Sequence, residues 1–151
     1  DEKNIENQYE KLYVKLLEKS VKIFLSSIQI SEFINRCIRF RFATYCDGRN
    51  LDFKKQYRNT DDYREHMEGI LDIINTDIID NFSFIDDGFS TMNYDNIFKY
   101  GFSYDFNDAL ISEIAKRENA YLITHDSDFL NYGTDLKIIT ANEGLLKFGQ
   151  H

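Results

Sequence analysis

The stretch Tyr104 to Asn142, YDFNDALISEIAKRENAYLITHDSDFLNYGTDLKIITAN, decides the expected fold. Apolar residues recur at helical spacing between Ala109 and Ala115, and Asn107 and Asp108 stand where a helix cap belongs. The apolar run from Ala120 to Thr124 is typical of a short strand. The stretch therefore predicts a helix that opens at Asp108 and is followed by a strand.

Acidic side chains gather at the ends of these two predicted elements. Asp105 and Asp108 lie at the helix start, while Asp126 and Asp128 follow the carboxyl end of the strand, the edge where open parallel sheets usually bind ligands. Carboxylates that meet there repel one another unless a cation compensates them. Oxygen ligands favour Mg2+ or Mn2+ over zinc, since no Cys or His pair stands at zinc spacing.

The order of these motifs resembles the C-terminal half of a PIN-domain nuclease. Such domains carry Asn-Asp or Asp at a helix start, then a strand ending in Thr-x-Asp-x-Asp-Phe, then a short strand and Asn. This chain has Asn107-Asp108, Thr124-His125-Asp126-Ser127-Asp128-Phe129 and Thr140-Ala141-Asn142. Each piece alone is a weak signal, and the order and spacing together carry the inference.

The resemblance implies an α/β fold, a three-layer sandwich with a mainly parallel central sheet. It also implies a metal site in which Glu32, Asp108 and Asp126 are the catalytic ligands, with Asp128 or Asp105 as further ligands. Glu32 follows the predicted strand Val21 to Ser26, and without the resemblance it would be interpreted as a residue that complements a helix dipole.

Two polar residues are expected to support the metal site. By the same resemblance, Asn107 and Thr124 orient a carboxylate or a phosphate through the side-chain amide and hydroxyl groups. A plain helix cap and a plain strand-end hydroxyl are equally good interpretations of these two residues. His125 is expected to be structural, because strand alternation points it away from the side of Thr124.

Length and composition favour one globular domain spanning residues 1–151. The chain has 42% hydrophobic residues, with 13 Phe and 10 Tyr to supply large buried surfaces. It lacks an apolar run of membrane-spanning length, and its charged start does not resemble a secretory signal. Two cysteines, Cys37 and Cys46, do not make a disulfide framework, so a cytoplasmic setting is expected.

The charge of the chain argues against general nucleic-acid affinity. Its net charge is -8 and its pI is near 4.8, whereas nucleic-acid-binding domains normally show a basic stripe. Arg36, Arg39 and Arg41 are the best candidates to hold phosphates, together with the basic connector from Leu51 to Thr60. Arg36 and Arg39 share a helix face one turn beyond Glu32. The alternative interpretation is that these arginines only form a solvated face of the helix and bind no phosphate.

The remaining pattern alternates helices and strands, as an α/β sandwich requires. The predicted elements are a helix over residues 4–19, a strand over 21–26, a helix from 27 to the turn at 47–50, a helix over 61–78, a strand over 81–85 and a helix over 91–100. PIN domains begin with a strand that ends in an Asp, and no such strand precedes the first helix here. The chain is therefore expected to be truncated at its N-terminal end.

The resemblance predicts a metal-dependent endoribonuclease that cleaves single-stranded RNA, the toxin of a toxin–antitoxin pair with an antitoxin protein as its partner. No convincing Ser-His-Asp or Cys-His arrangement is present, as expected where bound metal activates water. Two alternatives are a non-catalytic PIN-like domain that binds RNA or protein, and a different metal-dependent enzyme that transfers phosphate. A homodimer is also left open, and no membrane partner is expected.

Overall fold

The computed structural model describes residues 2–101, 105–133 and 135–148, with backbone alone at residues 100, 101 and 148. The helices are α1 (Glu2–Glu18), α2 (Ser27–Cys46), α3 (Asp61–Ile73), α4 (Ile79–Asn81), α5 (Tyr94–Gly101), α6 (Phe106–Arg117) and α7 (Glu143–Phe148). The strands are β1 (Phe24–Ser26), β2 (Ser83–Ile85), β3 (Leu122–Ile123) and β4 (Ile138–Ile139). Tyr104 and Thr134 of the stretch that predicts the fold lie outside the described residues.

The described residues group into two compact units. The first unit contains the residues up to Val21 and those from Asp86 onward, and the second contains Lys22–Ile85. Strand β1 pairs with β2 in the second unit, and β3 pairs with β4 in the first, both in parallel. The fold is therefore α/β, mostly helical with short parallel strand pairs, and one domain over the whole chain stays a prediction.

The strands are shorter than the sequence pattern predicts. Within the described ranges they form two separate two-stranded sheets rather than one central sheet. The pairing is in register from Phe24 opposite Ser83 and from Leu122 opposite Ile138. The three-layer sandwich with a central sheet is not seen in these strand pairs and stays a prediction.

Helix α6 is the centre of the first unit. Six of its residues are buried: Ala109, Leu110, Ile111, Ser112, Ile114 and Ala115. Each buried Leu or Ile contributes about 2 kcal/mol to folding by leaving water. Helix α1 belongs to the same unit and is partly buried at the six positions that the sequence pattern marks as its apolar face: Ile5, Tyr9, Leu12, Tyr13, Leu16 and Leu17.

The second unit has its own core of aromatic and aliphatic residues. Tyr57 is fully buried between Ile38 of α2 and Ile70 of α3 in one apolar cluster. The segment Leu51 to Thr60, which the sequence pattern predicts to be a connector, contains regular structure, because Phe53–Tyr57 forms a π-helical turn. A second π-helical turn, Ile74–Ile78, continues α3 into α4.

One residue of α3 is more exposed than helical spacing predicts. The pattern assigns Leu71 to the buried side of α3, yet it is 45% exposed, since the buried stripe runs through Ile70 and the partly buried Met67 and Ile74. Cys37 and Cys46 are both half-buried free thiols. Across the described parts of the chain, no helix combines the length and the apolar character that crossing a bilayer would require.

Candidate functional site

Helix α6 begins at Phe106 because Asp105 caps it. The Oδ1 atom of Asp105 accepts a hydrogen bond of 2.8 Å from the backbone N–H of Asn107, and the backbone of Asp105 is extended. The prediction that Asn107 and Asp108 form the cap is therefore wrong by two to three residues. Asp108 instead lies in the first helical turn, where the helix dipole stabilises a negative charge.

The chain turns sharply after β3, and two predicted site residues shape that turn. The backbone N–H of Thr124 donates a hydrogen bond of 3.1 Å to the Ile139 carbonyl oxygen. The Thr124 hydroxyl oxygen accepts a hydrogen bond from the backbone N–H of Asp126. Asp126 in turn accepts from the N–H of Asp128 over 2.9 Å and so caps the 3-10 turn Ser127–Tyr132. The Thr124 hydroxyl therefore orients the backbone at Asp126.

Tyr132 connects this turn to the start of α6. Its side chain is buried, and its hydroxyl group donates a hydrogen bond of 3.1 Å to the main-chain carbonyl oxygen of Asp105. Burial raises the pKa of the Tyr132 hydroxyl above its ordinary value, and the negative charges of the four nearby carboxylates raise it further. Those residues are Asp108, Asp105, Asp128 and Asp126, and we call them the carboxylate cluster.

Two members of the carboxylate cluster lie especially close together. One carboxylate oxygen of Asp105 and one of Asp108 are within 4.8 Å of each other. The Asp105 side chain is exposed and that of Asp108 is half-buried, so like charges approach at the edge of the unit. Two negative charges at that separation repel each other, and a cation between them would remove the repulsion.

Comparison of the chain with protein-family models, with curated proteins and with solved structures found no match. The resemblance to PIN domains therefore rests on the residues of this chain and stays a prediction.

Glu32, the other predicted metal ligand, belongs to the second unit. It lies in the second turn of α2 with its side chain exposed. The first turn of α2 contains no acidic residue, and the field of a helix dipole fades beyond that turn. The dipole interpretation of Glu32 is therefore weak, and its role as a metal ligand stays a prediction from the resemblance.

The three arginines of α2 that are predicted to hold phosphates differ in their surroundings. The Arg39 guanidinium lies 3.7 Å from the centre of the Phe53 ring, a cation–π contact within the second unit. Arg36 is exposed on the same helix. Arg41, the third, is half-buried and forms an ion pair with Asp62.

Three further residues around the cluster have structural partners. The Ser112 hydroxyl donates to the Asp108 carbonyl oxygen over 2.8 Å, which is the backbone bond that a helical Ser commonly makes. The His125 Nδ1 atom lies 3.1 Å from the Tyr9 hydroxyl, and the two rings meet edge to face. Asn142, the last residue of the PIN-like motif, caps α7 by accepting from the N–H of Gly144.

Sequence reasoning missed Tyr132 and the hydroxyl group of Tyr9. The Tyr9 hydroxyl donates to the Thr124 carbonyl oxygen over 3.1 Å and accepts from the N–H of Ala141 over 2.9 Å, so it joins α1 to the ends of β3 and β4. One local signal for Tyr132 is its spacing from Phe129, because residues three apart lie on one side of a 3-10 turn. The bond from Tyr9 spans more than a hundred residues, and no local pattern indicates it.

Proposed function

We propose that this chain is a metal-dependent endoribonuclease whose carboxylate cluster holds Mg2+ or Mn2+. The observation that supports the proposal is the gathering of Asp105, Asp108, Asp126 and Asp128 around the buried Tyr132 hydroxyl. These residues come from the start of α6 and from the turn after β3, which are the two places that carry the acids of a PIN-like motif. A three-layer PIN-like sandwich is part of the same proposal, and the parallel pairing of both strand pairs supports it.

The donor atoms of the cluster fit a hard divalent cation. All four side chains are carboxylates, and the only imidazole in the adjoining turn, that of His125, contacts Tyr9 through Nδ1. Oxygen donors without thiol or imidazole are the ligands that Mg2+ and Mn2+ prefer. Asp105 and Asp108 lie close enough together to share one ion. The resemblance names Glu32, Asp108 and Asp126 as the ligands, with Asp128 or Asp105 as further ligands.

The protein groups around the ion have distinct tasks in this proposal. When bound, the metal supplies an activated water for attack on a phosphodiester. Asp105 and Asp126 each use one oxygen to accept a backbone N–H bond, so their orientations are fixed before an ion arrives. Tyr132 is protonated at neutral pH, as an ordinary tyrosine is, and its raised pKa extends that state to more alkaline pH, so it adds no fifth negative charge.

The choice of RNA as substrate comes from the resemblance, and the charge distribution supports it. Residues 36–58 contain seven basic residues and only Asp47 and Asp52 as acidic ones, although the whole chain has a net charge of -8. The seven are Arg36, Arg39, Arg41, Arg49, Lys54, Lys55 and Arg58. The proposal includes a biological role, that of a toxin that acts on RNA in the cytoplasm. Its partner would be an antitoxin protein or a second copy of the chain.

A second candidate function is a non-catalytic PIN-like domain that binds RNA or a protein. The observation in its favour is that Asp105 and Asp126 both act as caps, a structural task that needs no metal. In that case the carboxylates stabilise the fold and take no part in a reaction. The two candidates differ in whether removal of one carboxylate abolishes a reaction or only lowers stability.

The test is Mn2+-dependent cleavage of end-labelled single-stranded RNA by the wild type, Asp108→Asn and Asp126→Asn. We expect the wild type to cleave and both variants to lose at least about a hundredfold in rate, since a metal ligand typically contributes that much. Asp95→Asn is the matched control, because Asp95 also lies in the first turn of a helix of the same unit, α5. Equal cleavage by all four proteins would contradict the proposal, and RNA binding without cleavage by the wild type would favour the non-catalytic domain.

A further inference from the structure

One face of α2 is turned away from the core of the second unit and carries cations beside an aromatic ring. Ile38 is buried, and residues two positions away from it point to the opposite side of the helix. Arg36 and Phe40 lie there at i, i+4 spacing, with Arg39 beside them. We call Arg36, Arg39 and Phe40 the outer face of α2.

Phe40 is an unusual residue for such a face. Its side chain is 78% exposed, the highest value among the large apolar residues found exposed in the described part of the chain. Burying a Phe ring stabilises a protein by about 2 kcal/mol, and this ring forgoes that gain. Single exposed apolar residues are common on protein surfaces, so the Phe40 ring is informative only through the arginines that lie beside it.

Arg39 extends the outer face toward a second group of cations. Its guanidinium lies over the Phe53 ring, and Phe53 opens the π-helical turn that contains the exposed Lys54 and Lys55. A guanidinium already held against a ring loses less conformational freedom when it binds a phosphate. Glu32 is the acidic residue one turn before Arg36, so the positive part of the face begins beyond it.

The chemistry of this face selects one class of ligand. Its cations complement a polyanion, and an exposed ring offers a surface on which an unpaired base can stack. Double-stranded RNA keeps its bases inside the helix and cannot use such a ring. A single strand uses both the ring and the cations.

We propose that the outer face of α2 binds single-stranded RNA, with a base stacked on Phe40 and backbone phosphates held by Arg36 and Arg39. The proposal rests on the proposed function for its choice of RNA. It concerns binding alone, so it is tested in the absence of metal and without cleavage.

The first test uses the absence of Trp from the chain. Phe40→Trp introduces a single Trp, whose emission is excited selectively over that of the 10 Tyr. We expect a single-stranded oligoadenylate of about 12 nucleotides to quench this emission in EDTA, since one such strand fills a typical binding site. Phe84→Trp on β2 is the matched control, because Phe84 is also an exposed aromatic residue of this unit, and its emission should not change. Equal quenching at both positions, or none at position 40, overturns the proposal.

The second test measures affinity for the same labelled oligoadenylate by fluorescence anisotropy. Phe40→Leu keeps an apolar side chain without the ring and should weaken binding about tenfold, while Phe40→Trp should bind at least as tightly as the wild type. Arg36→Gln should lower the salt dependence of binding by about one counterion. Arg64→Gln is the matched control, since Arg64 is an exposed arginine of α3 paired with Asp61, and it should bind like the wild type.

The outcomes separate this proposal from the proposed function. Tight binding that depends on Phe40, together with no Mn2+-dependent cleavage, supports the RNA face and contradicts the nuclease. Cleavage that survives Phe40→Leu with unchanged affinity overturns the RNA face alone. A self-association that Phe40→Leu abolishes, seen by sedimentation without RNA, would instead assign the face to a second copy of the chain and overturn the proposal.

Discussion

The hydroxyl group of Tyr132 donates its hydrogen bond to the main-chain carbonyl oxygen of Asp105, the residue that caps α6. The bond ties the turn after β3 to the helix start, so one buried side chain holds together the two segments that supply the carboxylate cluster. The acids are therefore positioned by the fold of the first unit, whether or not an ion is bound.

The raised pKa of Tyr132 predicts a loss of stability at alkaline pH. The unfolded chain releases the Tyr132 proton near the ordinary tyrosine pKa of about 10, whereas the folded protein keeps it. The contribution of Tyr132 to the free energy of unfolding is therefore complete below that pH and is lost as the pH rises above it. Tyr132→Phe should be about 1 kcal/mol less stable at neutral pH, because it loses one hydrogen bond. Urea unfolding at a series of alkaline pH values should show a shallower decline for the variant than for the wild type.

A matched control for that series is Tyr121→Phe. Tyr121 belongs to the same unit, but it is 62% exposed. Its free energy of unfolding should follow the wild type at every pH. If Tyr132→Phe also follows the wild type, the assignment of the alkaline loss to Tyr132 is wrong.

The contacts of Asp62 predict how the stability of the second unit changes at acid pH. Its Oδ1 atom accepts bonds from the Tyr57 hydroxyl over 2.8 Å and from Arg41 Nε over 3.1 Å, and Arg41 lowers the pKa of the Asp62 carboxyl more than burial raises it. Its stabilising contribution is present above the unfolded Asp pKa of about 4 and is lost as the pH falls through the lower folded value. Asp62→Asn should cost about 2 kcal/mol at neutral pH, measured by urea unfolding, and should reduce the loss of stability in acid.

The neighbouring Asp61 provides the comparison for Asp62. Its side chain is 96% exposed, and its partner Arg64 is 67% exposed, so solvent screens their ion pair. Asp61→Asn should leave the unfolding transition unchanged at neutral and acid pH. A loss of stability equal to that of Asp62→Asn would show that the buried network around Tyr57 is not the cause.

Two glycines predict opposite effects of the same substitution. Gly88 has a φ of +65°, and a Cβ atom added there would clash with Nη1 of Arg117. That nitrogen donates to the Asp87 carbonyl oxygen, and Nη2 donates to that of Asp86. Gly88→Ala should therefore lower the melting temperature, with a cost of about 1 to 3 kcal/mol. Gly69 lies inside α3 with open space around its Cβ position, so Gly69→Ala should gain about 0.5 to 1 kcal/mol. A stabilised Gly88→Ala would contradict this account of the turn.

Much of the helical framework is predictable from the sequence, because it depends on local periodicity. The six apolar positions of α1 and the apolar stripe of α2 through Ile38 are partly or fully buried as the pattern predicts. Element ends are harder to predict. Asp105, Asn107 and Asp108 all satisfy the composition rule for a helix cap, and only the extended backbone at Asp105 decides among them.

The hydrogen bonds that position the carboxylate cluster are long-range contacts, which the sequence pattern does not predict. The Tyr132 bond to Asp105 and the Tyr9 bond to Thr124 both join segments far apart in the chain. A partly buried Tyr is predictable from helical spacing, but the acceptor of its hydroxyl proton is not. The gathering of acids at this end of the unit was predicted from motif order, whereas the buried phenol that holds them was not.

The most direct test of the carboxylate cluster as a metal centre is a titration of the chain with Mn2+, followed by electron paramagnetic resonance of the free ion. The account predicts saturable binding by the wild type and by Asp95→Asn, with binding weakened at least about tenfold in Asp108→Asn, the loss expected for a metal ligand. Tyr132→Phe should retain binding, because its hydroxyl group supplies position rather than a ligand. Wild-type binding that is unchanged by Asp108→Asn, or no saturable binding at all, would contradict the account.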